Sequence, residues 1–285
     1  AWNKKMLEDK HFGICEFWNK SVSLFDETDI KGGIVISLRD KKVEKGAIGL
    51  FTPYQELNAI VQSVCKDKKF KSMSDIVVSR TAYRFTDLMH KEHPEAMSQL
   101  SNGHPYDVST NIFERLPQVF FGEKPNDCNE YIRIIGRIDN ARIMKYVRRD
   151  YIREVENLDG YKVFMAKANG TGAYGETLTP PIVGEPAVGN TESFISIGNF
   201  CTGSEASALM KYISTKFVRA LLGALKTTQD ITPEKWKFVP QQDFSEASDI
   251  DWSLSVEDID ALLYKKYNLT DTEIRFINEK VQAMS

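Results

Sequence analysis

The strongest constraint in this 285-residue chain is a change of hydrophobic period near residue 200. Up to Phe200 the apolar residues come in short β-branched or aromatic runs cut by Gly, Pro or Asn: YIRIIGRI (131–138), YKVFMAKAN (161–169), PIVGEP (181–186) and ESFISIGNF (192–200). Such runs predict strands. Beyond Phe200, Leu209, Met210, Ile213, Phe217, Ala220, Leu221 and Ala224 form one stripe at helical spacing. That stripe predicts a single helix over 204–226, with Ser204 as N-cap. DWSLSVEDIDALLYKKYN (251–268) predicts another helix, with Ser255 ahead of Asp258. TDTEIRFINEKVQAM (270–284) predicts a third, with Thr270 and Glu273 at capping-box spacing. The fold class is therefore α+β.

The amino-terminal quarter reads as a helix over 2–12 and a buried strand over 32–40 after a Gly-Gly turn. A second strand follows over 47–52, and then a helix behind Pro53 that carries Leu57, Ile60, Val61 and Val64. The polar, lysine-rich stretch 66–74 marks a boundary. Pro94, Pro105, Pro117 and Pro125 interrupt every helical pattern between 94 and 129, so that stretch should be largely irregular. The organisation expected is 1–74, 75–245 and an acidic helical tail, 246–285.

Composition excludes several classes. At 42% hydrophobic and 27% charged the chain resembles globular domains, and no apolar run approaches the ~18 residues of a membrane span. Residues 1–20 carry too much charge for a signal peptide, and AWNKK opens as if in mid-domain. Cys15, Cys65, Cys128 and Cys201 lie too far apart for paired zinc ligands and read as reduced thiols. His90 and His93 are followed at once by Pro94 and make no H-E-x-x-H frame, so no metal site is expected. No P-loop, nucleophile elbow or nuclease triad occurs, and no catalytic residues are assigned. Gly170 to Gly175 matches G-x-G-x-x-G, but Pro180-Pro181 leaves no room for the helix a dinucleotide site requires. It reads as a flexible loop between strands.

Charge is unevenly spread. Residues 243–285 hold ten acids against four bases, a net −6, whereas 131–153 hold seven bases and two acids. Such asymmetry suits a polyanion-binding face beside an acidic appendage.

Two stretches carry a family resemblance. MLEDKHFGICEFWNKSVSLFDETDIKGGIVISLRDKK (6–42), with D-I-K-G-G from Asp29 to Gly33, resembles the end of the catalytic domain of gamma-class N6-adenine DNA methyltransferases, including those fused to type II restriction nucleases. Residues 161–200, the helix after them and KTTQDITPEKWKFVPQQDFSEASDIDWS (226–253) are similar to the target recognition region of those enzymes. The resemblance implies a short α/β remnant of a methyltransferase fold, a β-rich target recognition domain, a long helix and a C-terminal helical pair. It implies double-stranded DNA and an upstream catalytic domain as partners, in a bacterial or archaeal cytoplasm. The family's N-P-P-Y and glycine-rich S-adenosylmethionine motifs are not in the sequence. That cofactor is therefore expected for the parent enzyme and none for this span. Phosphate and base contacts would then come from Arg80, Arg84, Arg133, Arg137 and Lys167. The Asn169-Gly170 loop and the polar loop with Lys226 and Thr228 would add to them on one concave face, the acidic tail lying away from it. The competing readings are a catalytically active nuclease or methyltransferase fragment and a subunit-assembly module.

Overall fold

The computed structural model describes residues 2–18, 24–25 and 33–284, and its contacts divide the chain into two units, Ala1–Ser63 and Val64–Ser285. Asp29 to Gly32 of the D-I-K-G-G element lie outside the described residues. In the first unit α1 (Trp2–Glu8) leads into β1 (Phe12–Trp18), which pairs antiparallel with β2 (Ile34–Arg39). The helix expected over 2–12 therefore ends at Glu8. Asp9 turns the chain by accepting the His11 N–H at 2.9 Å and the Arg39 Nε–H at 2.6 Å, after which FGICEFW favours a strand. β2 forms where expected but is not buried: Val35, Ile36 and Leu38 are 47%, 51% and 52% exposed. The strand expected over 47–52 is a loop, because the amides of Lys45, Gly46 and Gly49 donate to Lys10 and Leu7 carbonyls and enter no ladder. α2 (Gln55–Cys65) carries the buried residues Leu57, Ile60, Val61 and Val64 at helical spacing, as expected.

The second unit contains two sheets. Its elements run β3 (Val77–Val78), α3 (Asp87–Glu92), α4 (Ala96–Gln99), α5 (Ile112–Arg115), β4 (Tyr131–Ile138), β5 (Ala141–Arg148) and β6 (Tyr161–Ala166). They continue with β7 (Ile182–Gly184), β8 (Val188–Asn190), β9 (Phe194–Phe200), α6 (Gly203–Ser214), α7 (Lys216–Gly223), α8 (Val256–Lys266) and α9 (Asp271–Lys280). One sheet has the order β3-β9-β6-β7, all antiparallel; the other has the order β5-β4-β8, with β8 parallel to β4. Ile135 and Val188 of one sheet meet Phe164 and Phe194 of the other in a buried cluster. The opposite side of β4 (Ile132, Ile134) packs into a larger core with Tyr83, Phe85, Phe113 and Phe120. The proline-rich span is irregular apart from single-turn helices, yet it supplies Ile112, Phe113, Leu116, Val119 and Phe120 to that core. No helix begins at the glycine-rich loop, so the dinucleotide arrangement is absent.

The helix expected over 204–226 is two helices. Thr215 is extended (φ −64°, ψ 150°), closing α6 and capping α7 through the Val218 N–H. The N-cap of α6 is Thr202, in a reciprocal capping box with Glu205, and not Ser204. Ser255 caps α8, and Thr270 with Glu273 forms the capping box of α9, as the spacing predicts. α8 packs on α6 and α7 and α9 packs on α7, so 246–285 belongs to the same compact unit. No helix among the described residues is long and apolar enough to cross a membrane.

Candidate nucleic-acid interface

The basic run 131–153 folds into the β4–β5 hairpin, and its charge separates into two halves. Toward the open end Arg133 pairs with Glu185 at 2.6 Å, and Arg148 with Glu92 and Asp150, each at 2.6 Å. Just past β5, Arg149 pairs with Asp159 at 2.5 Å. These guanidiniums are neutralised within the fold. Toward the turn no such partners exist: among the described residues no carboxylate lies within ion-pair distance of Arg137, Arg142 or Lys145. The turn itself is Asp139-Asn140, both at positive φ (50° and 62°), the conformation that lets a two-residue turn follow the strand twist.

Arg137 and Arg142 sit directly opposite each other in the antiparallel register. Like charges in that arrangement repel. Burial and the nearby Arg137 charge both lower the Arg142 pKa. Arg142 Nη2 donates to the Pro180 carbonyl at 2.5 Å, and the Arg137 guanidinium lies 5.6 Å from the Phe194 ring centre. Arg137 Nε is buried without a partner. Lys145 approaches the Phe113 ring to 5.5 Å. The hairpin tip thus holds cations steadied by rings and a carbonyl, with their charge uncompensated.

Arg137 also lines a cavity of about 420 Å³ with Lys167, Thr110, Asn111, Asn140 and Ser193. Lys167, the first residue after β6, is fixed there because its N–H donates to Ser193 and its carbonyl accepts from Ile231. Glu114 and Asp139 line the same cavity and moderate its charge. Asn111 and Asn140 are exposed and offer paired donor and acceptor groups.

The glycine-rich loop is adjacent along the chain, and the loop following α7 pairs with it: Asn169 N–H donates to the Gln229 carbonyl, and Ala168 bridges Asp230. Its interior differs from the sequence-based expectation. The Glu176 carboxylate accepts the Thr171 N–H at 2.7 Å, the Gly172 N–H at 2.8 Å and the Thr171 hydroxyl at 3.1 Å. Lys226 Nζ approaches the same carboxylate to 2.5 Å. Burial alone would raise the Glu176 pKa, but Lys226 and the two amides outweigh it and hold the group near 2. Gly170 (φ +58°) is needed here, since a Cβ would fall 2.3 Å from Glu176 carboxylate atoms. Gly172 (φ +93°) allows the Thr228 backbone to lie against it, where a Cβ would meet Thr228 Cα at 2.8 Å.

Two assignments are therefore corrected. Lys226 is 5% exposed and tied to Glu176 and the Asn169 carbonyl, so it closes the loop and offers no free ammonium. Asn169 is 2% exposed; its Nδ2 donates to Ala166 and its Oδ1 accepts from Thr179, both at 2.6 Å, so it is a loop brace rather than a group that reaches a base edge. Gly170 and Thr228 are exposed at the loop surface. Arg80 is tethered to Glu192 at 3.7 Å, next to the cavity residue Ser193. Arg84 is tethered to Asp107 at 3.1 Å, and Arg133 lies at the neutralised end of the hairpin. The acidic tail does not avoid the loop, because the Gln282 N–H donates to the Gly175 carbonyl and Tyr174 contacts Phe276. Nothing in the sequence spacing singles out Arg142, Lys145 or Glu176. The Asp139-Asn140 pair between two β-branched runs was the available signal for the hairpin. The chain matches no protein-family model, and no curated protein matches it.

Proposed function

We propose that this chain binds double-stranded DNA selectively, as the target recognition region of an adenine-specific DNA methyltransferase of restriction–modification type. The observation that carries the reading is the Arg137–Arg142 pair, opposed across the turn end of the β4–β5 hairpin, beyond the stretch of β4 that pairs with β8, without a carboxylate partner. Each phosphate docked there relieves the repulsion, and a two-stranded ribbon has the width that a major groove admits. Arg137, Asn140 and Asn111, which line one cavity, carry the donor and acceptor groups that pair with guanine and adenine edges. Lys167 and Lys145 supply phosphate contacts that set register.

Methyl transfer belongs in this reading to the catalytic domain that carries S-adenosylmethionine. The glycine-rich loop here does not fit that cofactor, since Glu176 fills its amides and no helix starts from it. The exposed Val35, Ile36 and Leu38 of β2 are the surface assigned to docking of the catalytic domain.

Fluorescence anisotropy of the full chain on mixed duplexes, at several salt concentrations, tests the proposal. Salt-dependent binding is expected, and the log–log slope should fall by about two in the Arg137→Gln, Arg142→Gln double variant. Unchanged affinity and slope in that variant would overturn it.

A further inference from the structure

We propose that the C-terminal helices form a second ligand site, separate from the hairpin face, that takes a small monocarboxylate with an apolar body. A cavity of about 680 Å³ opens between α7, α8 and α9, a volume in the range of small-molecule sites. Val256, Ala261, Leu269 and Ile274 provide apolar wall. Two buried polar side chains also line it, Arg219 (3% exposed) and Tyr264 (8% exposed).

What these two side chains lack is acceptors. Arg219 uses Nη2 on the Gln282 carbonyl at 2.5 Å, while its Nε and Nη1 are buried without a hydrogen-bond partner. The Tyr264 hydroxyl is likewise buried and unpartnered. Buried donors left unmatched are costly and uncommon, so a concentration of them beside a cavity marks where an acceptor belongs. The nearby acid does not fill the role. Asp260 Oδ1 accepts from the Phe217 N–H at 2.8 Å and Oδ2 from the Lys216 N–H at 2.9 Å, which caps α7 from a different helix. Lys216 Nζ is turned to Asn278 at 3.2 Å. Arg219, Lys216 and Lys265 line the cavity together with Asp260 and Glu257, leaving one positive charge in excess. A single anionic group bearing two acceptor oxygens matches that excess; a dianionic phosphate would overshoot it beside Asp260. The guanidinium and the freely rotating phenolic hydrogen are suited to a planar carboxylate.

Isothermal titration of the full chain with phenylpropionate, against its neutral analogue phenylpropanol, tests the assignment. Phenylpropionate should bind at one saturable site, at least about tenfold tighter than the alcohol. Tyr264→Phe, which keeps the ring and removes only the donor, should weaken it about fivefold, and Arg219→Gln about tenfold or more. Ala261→Phe, filling the cavity from an exposed helix position, should abolish it while the circular dichroism spectrum stays that of the unaltered chain. Absence of saturation up to about 10 mM, equal binding of acid and alcohol, or binding unaffected by both Tyr264→Phe and Ala261→Phe would each overturn the proposal. The hairpin variants should leave this binding untouched, so its failure and the failure of DNA binding are distinguishable.

Discussion

Lys226 Nζ lies 2.5 Å from Glu176 Oε1, so a loop with the glycine spacing of an anion cradle closes on a carboxylate of its own chain. Removing the carboxylate leaves the buried Lys226 ammonium without its counter-charge, held only by the Asn169 carbonyl, and two amides without an acceptor. Glu176→Ala should therefore lower the unfolding free energy, measured in denaturant, by about 3–5 kcal/mol. The pH dependence has a definite sign. The folded pKa near 2 is below the ordinary 4.5, so the stabilisation is complete above pH 4.5 and is lost as pH falls toward 2. Acid titration of Glu176→Gln should lack that loss.

This loop also shows what a sequence can and cannot display. Its glycines and the turn after Asn169 are visible as letters, but the partner of Lys226 lies 50 residues upstream and only folding brings it near. The break at Thr215 was hidden for a similar reason. The apolar stripe runs unbroken from Ile213 to Phe217, and besides the local Thr215 cap the first two amides of the second helix are taken by Asp260, 43 and 44 residues further on. β5 was obscured because Arg142, Lys145 and Arg148 occupy both its faces, erasing the alternation that signals a half-buried strand. The Ser255 cap and the capping box at 270–273 are legible because every participating atom is local.

Asp260 gives a second pH prediction, of opposite sign. Burial raises its pKa to about 6, against the amides of Phe217 and Lys216, which lower it. A carboxyl whose folded pKa exceeds its unfolded value of 3.8 contributes fully below that pH and loses its contribution as pH rises through about 6. The unaltered chain should accordingly lose on the order of 3 kcal/mol relative to Asp260→Asn between pH 4 and pH 6.5. Thermal unfolding of the two proteins across that interval checks it.

Lys162 is fully buried on β6, donating to the carbonyls of Leu158 at 2.8 Å and Val188 at 2.9 Å. Burial lowers its pKa to about 8. Between about 8 and the ordinary 10.5 the unfolded chain binds a proton that the folded chain has released, so this group destabilises the fold below that window and ceases to do so above it. Lys162→Met removes the effect. Its stability relative to the unaltered chain should fall by about 3 kcal/mol as pH rises from 7.5 to 10.5, as read from denaturant midpoints with unchanged slope.

The hairpin tip separates folding from function most sharply. Arg142→Glu places a carboxylate directly across from Arg137 and converts a cross-strand repulsion into an attraction. Paired charges of this kind are worth roughly 0.2–1 kcal/mol, which offsets the lost hydrogen bond to the Pro180 carbonyl, so stability should change by no more than about 1 kcal/mol. The same change cancels the uncompensated charge at the ribbon tip and puts a negative group where a phosphate would sit. Duplex binding should therefore weaken by about tenfold or more at low salt and become less salt-dependent. Arg133→Glu, made at the neutralised end of the hairpin, sets a like charge beside Glu185 in place of its partner and should destabilise the fold slightly, with a smaller effect on DNA. Thermal unfolding and anisotropy measured on the same preparations distinguish the two variants. A folded Arg142→Glu that binds duplex as tightly as the unaltered chain would show that the opposed arginines serve some purpose other than holding DNA.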